Sequence, residues 1–91
     1  VFLLYQNYPN PAQARTCIKY GLPKVSKVSL KVYNVAGQEV CTLVDERQKA
    51  GYYTLQWDGR DNTNRTVACG VYFYRFEADD FKDTKKLILL R

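Results

Sequence analysis

Without a single histidine, this chain is poorly equipped for the commonest enzyme chemistry. Ser-His-Asp and Cys-His arrangements need an imidazole to take the nucleophile's proton, and most transition-metal sites use one as a ligand. Carboxylates, thiols and aromatic rings remain. A pair of carboxylates can hydrolyse a glycoside. However, Asp45, Glu46, Asp58, Asp61, Asp79, Asp80 and Asp83 fall in or beside expected turns, where such side chains cap backbone amides and keep the chain soluble. Cys17, Cys41 and Cys69 are odd in number and share no Cys-x-x-Cys spacing, so a zinc site lacks its ligands. A disulfide between two of them stays open, because geometry decides it. The segment Trp57-Asp58-Gly59-Arg60-Asp61-Asn62-Thr63-Asn64 is similar to an oxygen-rich calcium loop, with Asp58 and Asp61 as candidate ligands. Its Gly is misplaced and no closing bidentate Glu follows, so Asx turns account for both residues better. Tyr33, Tyr52 and Phe73 lie off the expected core-facing sets and could stack sugars or bases, although aromatic side chains also simply suit strands. The expectation is a non-catalytic domain with no cofactor and no metal.

The elements that would position these residues alternate with period 2. Val28, Leu30 and Val32 share one face, as do Tyr53, Leu55 and Trp57; Tyr72, Tyr74, Phe76 and Ala78 share another, opposite Arg75 and Glu77. No apolar stripe at spacings of three and four persists, so no helix is expected. Turn residues punctuate the runs at Leu22-Pro23, Ala36-Gly37-Gln38, Ala50-Gly51, Asp58-Gly59, Gly70 and Asp79-Asp80. Seven strands are predicted, at about 15–22, 27–35, 38–44, 52–57, 65–68, 71–79 and 82–90. Seven short strands in 91 residues suit an all-β, antiparallel β-sandwich of immunoglobulin-like or fibronectin-III-like type, one domain spanning 1–91. Residues 1–11 read as a lead-in that packs on the 15–90 sandwich through Phe2, Leu4 and Tyr8.

Eight Tyr, four Phe and one Trp reinforce the β reading. The net charge of +5 comes mostly from Lys and Arg alternating with apolar residues, as in Leu30-Lys31-Val32, which is a solvated strand face and no signature of nucleic-acid binding. No stretch approaches the roughly 18–20 apolar residues of a membrane helix. The chain opens without a signal-peptide pattern or an initiator Met, and is read as a piece of a longer exported precursor.

Blocks of motif then become recognisable in order: Gln6-Asn7-Tyr8-Pro9-Asn10-Pro11, Ile18-Lys19-Tyr20-Gly21-Leu22-Pro23, Val32-Tyr33-Asn34-Val35-Ala36-Gly37-Gln38-Glu39-Val40, Trp57-Asp58-Gly59-Arg60-Asp61, Val67-Ala68-Cys69-Gly70-Val71-Tyr72-Phe73-Tyr74 and Thr84-Lys85-Lys86-Leu87-Ile88-Leu89-Leu90-Arg91. From about residue 4 onward the chain resembles the type A C-terminal sorting domain of the type IX secretion system, the Por secretion tail. Across Trp57 to Tyr74 it is similar as well to the Ig-like domain of the flagellar hook-capping protein. The resemblance implies a module at the end of a larger cargo protein, read by the outer-membrane translocon after Sec export to the periplasm. A sortase-like surface peptidase then releases the cargo or joins it to anionic lipopolysaccharide. It implies recognition through Gly70, Tyr72, Tyr74, Lys85, Lys86, Leu87, Leu89 and Leu90, with the last strand as an open edge and Arg91 as the terminus. The chain departs from the family where Ala12-Gln13-Ala14 replaces a Phe-containing continuation, which predicts a more loosely docked lead-in. Cys69 stands where Ser is common, and Asn64 where Gly is common.

Two other roles fit the same residues. One is a structural Ig-like spacer or assembly domain of the hook-capping kind. The other is a carbohydrate-binding module using Tyr33, Tyr52 and Phe73.

Overall fold

Strict alternation gives a segment one wettable and one dry face, a division that a strand satisfies and a helix does not. The computed structural model describes residues 1–90 and is all-β, with no helix among them. The strands are β1 (Leu3–Leu4), β2 (Tyr8–Gln13), β3 (Arg15–Leu22), β4 (Ser26–Tyr33), β5 (Glu39–Gln48), β6 (Gly51–Trp57), β7 (Gly70–Ala78) and β8 (Phe81–Leu90). Arg91, the last residue of the C-terminal motif, lies outside the described residues.

Hydrogen bonds link the strands in the order β1-β3-β2-β8-β7-β4-β5, with β6 on the other edge of β3. No ladder joins β3 or β6 to β7, yet the Tyr20 ring lies 4.9 Å from Phe76 and Trp57 meets Tyr72 edge-on at 5.5 Å. The two arms of the path therefore face each other, and the core lies between them. The predicted dry faces fill it: Val28, Leu30, Val32, Tyr74, Phe76 and Ala78 are fully buried, and Trp57 nearly so. Leu87, Leu89, Ile18 and Tyr20 complete the centre.

Several expectations are corrected. There are eight strands, not seven, because the lead-in joins the sheet as β1 and β2 while residues 65–68 form no strand. Thr66 makes one bridge to Arg60, the Val67 amide donates to Gly59 O, and Ala68 O accepts from the Tyr72 hydroxyl at 2.6 Å, so this short stretch bonds to its own loop and to a side chain instead of to a strand ladder. The ladder is not purely antiparallel: β2 runs parallel to β8 through Ala12↔Leu89 and Gln13↔Leu90. Pro9 and Pro11 are tolerated in β2 because proline, which donates no ladder bond, suits short or irregular strands; both X–Pro bonds are cis. Tyr8 does not pack inward but is 80% exposed, whereas Leu4 is buried and Phe2 stacks on Phe81 at 5.4 Å. Ala12 is itself fully buried, so the lead-in packs inward at this position. Asp45 and Glu46 sit in the body of β5, not in a turn, opposite Ser29 and Val28, and Asp45 pairs with Lys27 at 3.0 Å.

Ala14 turns the chain from β2 into β3 with φ 69°, a left-handed conformation that crowds any Cβ. Ala14→Gly is expected to stabilise the domain by about 1 kcal/mol, read as a higher urea midpoint; a lower midpoint would refute this account of the turn. Trp57→Ala should cost about 3–5 kcal/mol by the same measurement, and an unchanged midpoint would remove Trp57 from the core.

Candidate functional site

The eight residues implied in recognition occupy two hydrogen-bonded neighbours, β7 and β8, but not one surface. Gly70 starts β7 opposite Leu89, with φ 147°, which an L side chain rarely adopts. Tyr72, Tyr74, Leu87 and Leu89 point inward and are buried. Lys86 and Leu90 are exposed, Leu90 by 41%, while Lys85 is half-buried at 4.0 Å from Asp83. On the folded domain the side chains of Lys85, Lys86 and Leu90 and the backbone of Gly70 reach the surface, and the other four side chains belong to the core.

Pairing with β7 occupies one edge of β8 from Phe81↔Ala78 to Leu89↔Gly70. On the opposite edge the Ile88 amide donates to Asn10 Oδ1 at 3.2 Å, Leu90 O accepts from the Ala14 amide at 3.1 Å, and Lys86 O accepts from Gln6 Nε2 at 2.8 Å. Strand alternation places the backbone groups of Lys82 and Thr84 on that same edge, where no strand pairs with them among the described residues. The last strand is thus closed at residues 88–90, bridged once at Lys86 and open before it. This corrects the expectation of a wholly free terminal edge. The physical reason is β2, which its own ladder to β3 brings alongside the end of β8.

A buried polar cluster, unforeseen from the sequence, anchors that arrangement. Tyr74 Oη donates to Tyr5 O and accepts from the Asn7 amide, both at 2.8 Å. Asn7 Nδ2 donates to Thr16 Oγ1 at 3.0 Å and to Pro9 O at 3.1 Å, and the Thr16 hydroxyl donates to Pro9 O at 2.9 Å. The one signal available was Gln6-Asn7-Tyr8-Pro9, a polar pair just ahead of a proline and flanked by apolar residues.

The remaining candidates separate. Asp61 Oδ1 accepts from the Thr63 amide at 2.9 Å, the Thr63 hydroxyl at 2.7 Å and the Arg65 amide at 3.0 Å, the Asx geometry expected of it. Those bonds, the hydroxyl's foremost, hold its carboxyl below the usual range. Asp58 pairs with Arg60 at 3.5 Å, and Asn64 takes φ 67°. Cys17, Cys41 and Cys69 are all free thiols, and burial pushes that of Cys41 up. Tyr33 and Phe73 stand directly opposite each other on β4 and β7. Tyr52 lies apart on β6, 68% exposed, with Lys19 Nζ 5.4 Å above its ring.

Burial pushes the Tyr74 phenol up to about 12 despite the opposing bond from the Asn7 amide, and burial likewise raises Tyr20 to about 12 against its bond to Gln48. A phenol in the unfolded chain ionises near 10. The folded state therefore binds these protons more tightly, and the stability they contribute is complete below pH 10 and lost as pH rises towards 12. Tyr74→Phe should cost about 1–3 kcal/mol at pH 8, because Tyr5 O and the Asn7 amide lose their partner. It should also make the alkaline loss shallower. Urea titrations at pH 8, 10 and 11 check both, and a pH profile unchanged by the substitution would refute the assignment.

The similarities to known proteins follow this geometry. PorU from Porphyromonas gingivalis, crystallised in a dimeric latent form, superposes with TM-score 0.79 at 18% identity over 99% of this chain and 9% of PorU. PorZ of the same organism, an essential surface component of its type IX secretion system, gives 0.65 at 19% over 97% of this chain and 11% of PorZ. FlgD from P. aeruginosa gives 0.62 at 25% over 81% of this chain and 57% of FlgD. The chain thus spans about a tenth of the first two and just over half of the third, and for PorU and PorZ the likeness is one of fold. No curated protein matches. A family model described as the FlgD Ig-like domain matches residues 11–81, from the end of the lead-in to the hairpin before β8. That span takes in five whole strands, β3 to β7, and most of the core, and the chain belongs to the FlgD Ig-like domain family.

Proposed function

We propose that this domain is a non-catalytic sorting module, an Ig-like sandwich at the C-terminal end of a larger exported cargo. In this reading the type IX outer-membrane machinery recognises it from the periplasm, and the cargo reaches the cell surface, where a sortase-like peptidase and anionic lipopolysaccharide are the downstream partners. The observation that carries the reading is the superposition of nearly the whole chain on a piece amounting to 9% of PorU and 11% of PorZ. The same fold recurs as a small part of large proteins, one of them a type IX surface component. The exposed side chains of β8 supply a handle: Lys86 projects outward beside the edge that stays open over Lys82 and Thr84, and Leu90 projects outward from the strand's paired end. An extended segment of the receptor can add to such an edge.

A structural Ig-like spacer is the second reading, favoured by the FlgD family match over residues 11–81. A transport assay separates them. Residues 1–91 are fused behind a fluorescent reporter with a Sec signal in a type IX-competent host. The sorting reading expects surface fluorescence, and reporter retained in the periplasm with the intact domain would overturn it in favour of the spacer. Truncation before Lys85 removes the buried Leu87 and Leu89, so it tests folding as much as recognition. Lys86→Glu with Leu90→Ser changes only exposed side chains, and should cut surface signal at least tenfold while the circular dichroism spectrum holds. Undiminished export of that double variant would take recognition away from the end of β8.

A further inference from the structure

The outward face of β4, β7 and β8 carries a concavity that the sorting reading does not use. Tyr33 stands opposite Phe73 and Phe73 opposite Lys86; in the next row Lys31 faces Arg75 and Arg75 faces Thr84. Tyr33, Phe73, Arg75 and Thr84 floor a hollow of about 310 Å³, walled by Asn34, Val35 and Gly37 of the β4–β5 turn. That volume is at the lower end of the ~300–1,000 Å³ of small-molecule sites. Val35 is 74% exposed, so the wall presents apolar surface to an incoming ligand.

The polar groups around the rings are unspent. The Tyr33 and Thr84 hydroxyls and the Lys86 ammonium make no hydrogen bond or ion pair among the described residues. Arg75 gives its Nε to Glu77 at 2.8 Å, and neither Nη has a partner among them. Asn34 differs, since its side chain is committed to the turn through Ala36 and Gln38. The acids nearby are already matched, Glu39 by Lys31 at 3.4 Å and Glu77 by Arg75. Three cations (Lys31, Arg75, Lys86) against two carboxylates (Glu39, Glu77) leave one positive charge at the hollow.

We propose that this hollow binds an acidic pyranose, a hexuronate unit of a polysaccharide, with the sugar ring over Phe73 and Tyr33 and its carboxylate on the Nη pair of Arg75. The C–H face of a pyranose is slightly positive and suits the negative face of an aromatic ring. The planar guanidinium fork matches a carboxylate in a way that a lone ammonium does not. The free hydroxyls of Tyr33 and Thr84 bond the sugar's own hydroxyl groups. A nucleic-acid strand would ask for a longer row of rings and a basic track, where this face offers two rings and a single net charge. Tyr52, on β6, has no part in the site.

Nitrogen-edited NMR titrations of the 91-residue chain provide the test, with tetragalacturonate, its methyl ester, maltotetraose and a thymidine oligonucleotide as probes. Tetragalacturonate should shift the amides of Tyr33, Phe73, Arg75 and Thr84, with the methyl ester and maltotetraose at least tenfold weaker. Arg75→Gln should remove that preference for the acid, and Tyr33→Ser should weaken every sugar. Shifts scattered over the lysines of other faces, equal binding of acid and ester, or tighter binding of the oligonucleotide would each overturn the proposal. Its failure would leave the export assay untouched, since that assay reads Lys86 together with Leu90.

Discussion

The hydroxyl of Tyr74 ties the lead-in to the arm that ends in the last strand. It sits on the central strand of the β8-β7-β4-β5 arm, and its two bonds reach the backbone of Tyr5 and Asn7 in the lead-in. Burying a phenol oxygen costs energy unless it is hydrogen-bonded, and here both its donor and acceptor capacity are used. Asn7 passes the network to Thr16 and Pro9, which fixes where β2 leaves β3 and meets β8. No described buried side-chain nitrogen or oxygen lacks a partner, so the junction is satisfied rather than strained. The course of β2, the closure of the end of β8 and the exposure of Leu90 all follow from that junction.

Once the junction is set, the rest concerns edges. An unpaired strand invites other chains, and charge is the usual remedy. On the outer strand β5 the run Asp45-Glu46-Arg47 is exposed and Asp45 pairs with Lys27, which keeps that edge wet. The open part of β8 carries Lys82 and Lys86 outward and turns Asp83 and Lys85 towards the interior side, where they lie 4.0 Å apart. Such inward charges discourage indiscriminate pairing without forbidding a partner that brings its own counter-charges. A protected edge and a selective docking edge have the same chemistry, and they differ in whether a complementary strand is ever presented.

The dry faces were legible because burial follows alternation: each of Val28, Leu30, Val32, Tyr72, Tyr74, Phe76 and Ala78 lies where period 2 put it. The hairpin at Asp79-Asp80 and the turn at Gly37 were legible from turn chemistry. The lead-in was not. Its two prolines read as a break, while its ladder bonds go across the tight turn at Ala14 to Cys17 and, far along the chain, to Leu89, a pairing which no local pattern reports. Residues 65–68 failed in the opposite sense, since two strand-forming side chains, Thr66 and Val67, found no neighbouring strand. For the site, residue types were legible and grouping was not. Tyr33 and Phe73 came together through register, which is a property of pairs of strands, and Tyr52 parted from them because β6 belongs to the other arm.

The same geometry constrains what mutation of the last strand can mean. In β8 the residues alternate between core and surface, so Leu87 and Leu89 stabilise the domain while their immediate neighbours Lys86, Ile88 and Leu90 face outward. A deletion removes both sets, and loss of export after it reports unfolding as readily as loss of recognition. A substitution confined to the outward set leaves the core contacts with Tyr72 and Phe76 in place. The outward face of this strand exists only when β7, β8 and β2 are already assembled. Under the proposed sorting reading, a signal placed there would be a property of the folded sheet more than of the last ten residues as a linear string.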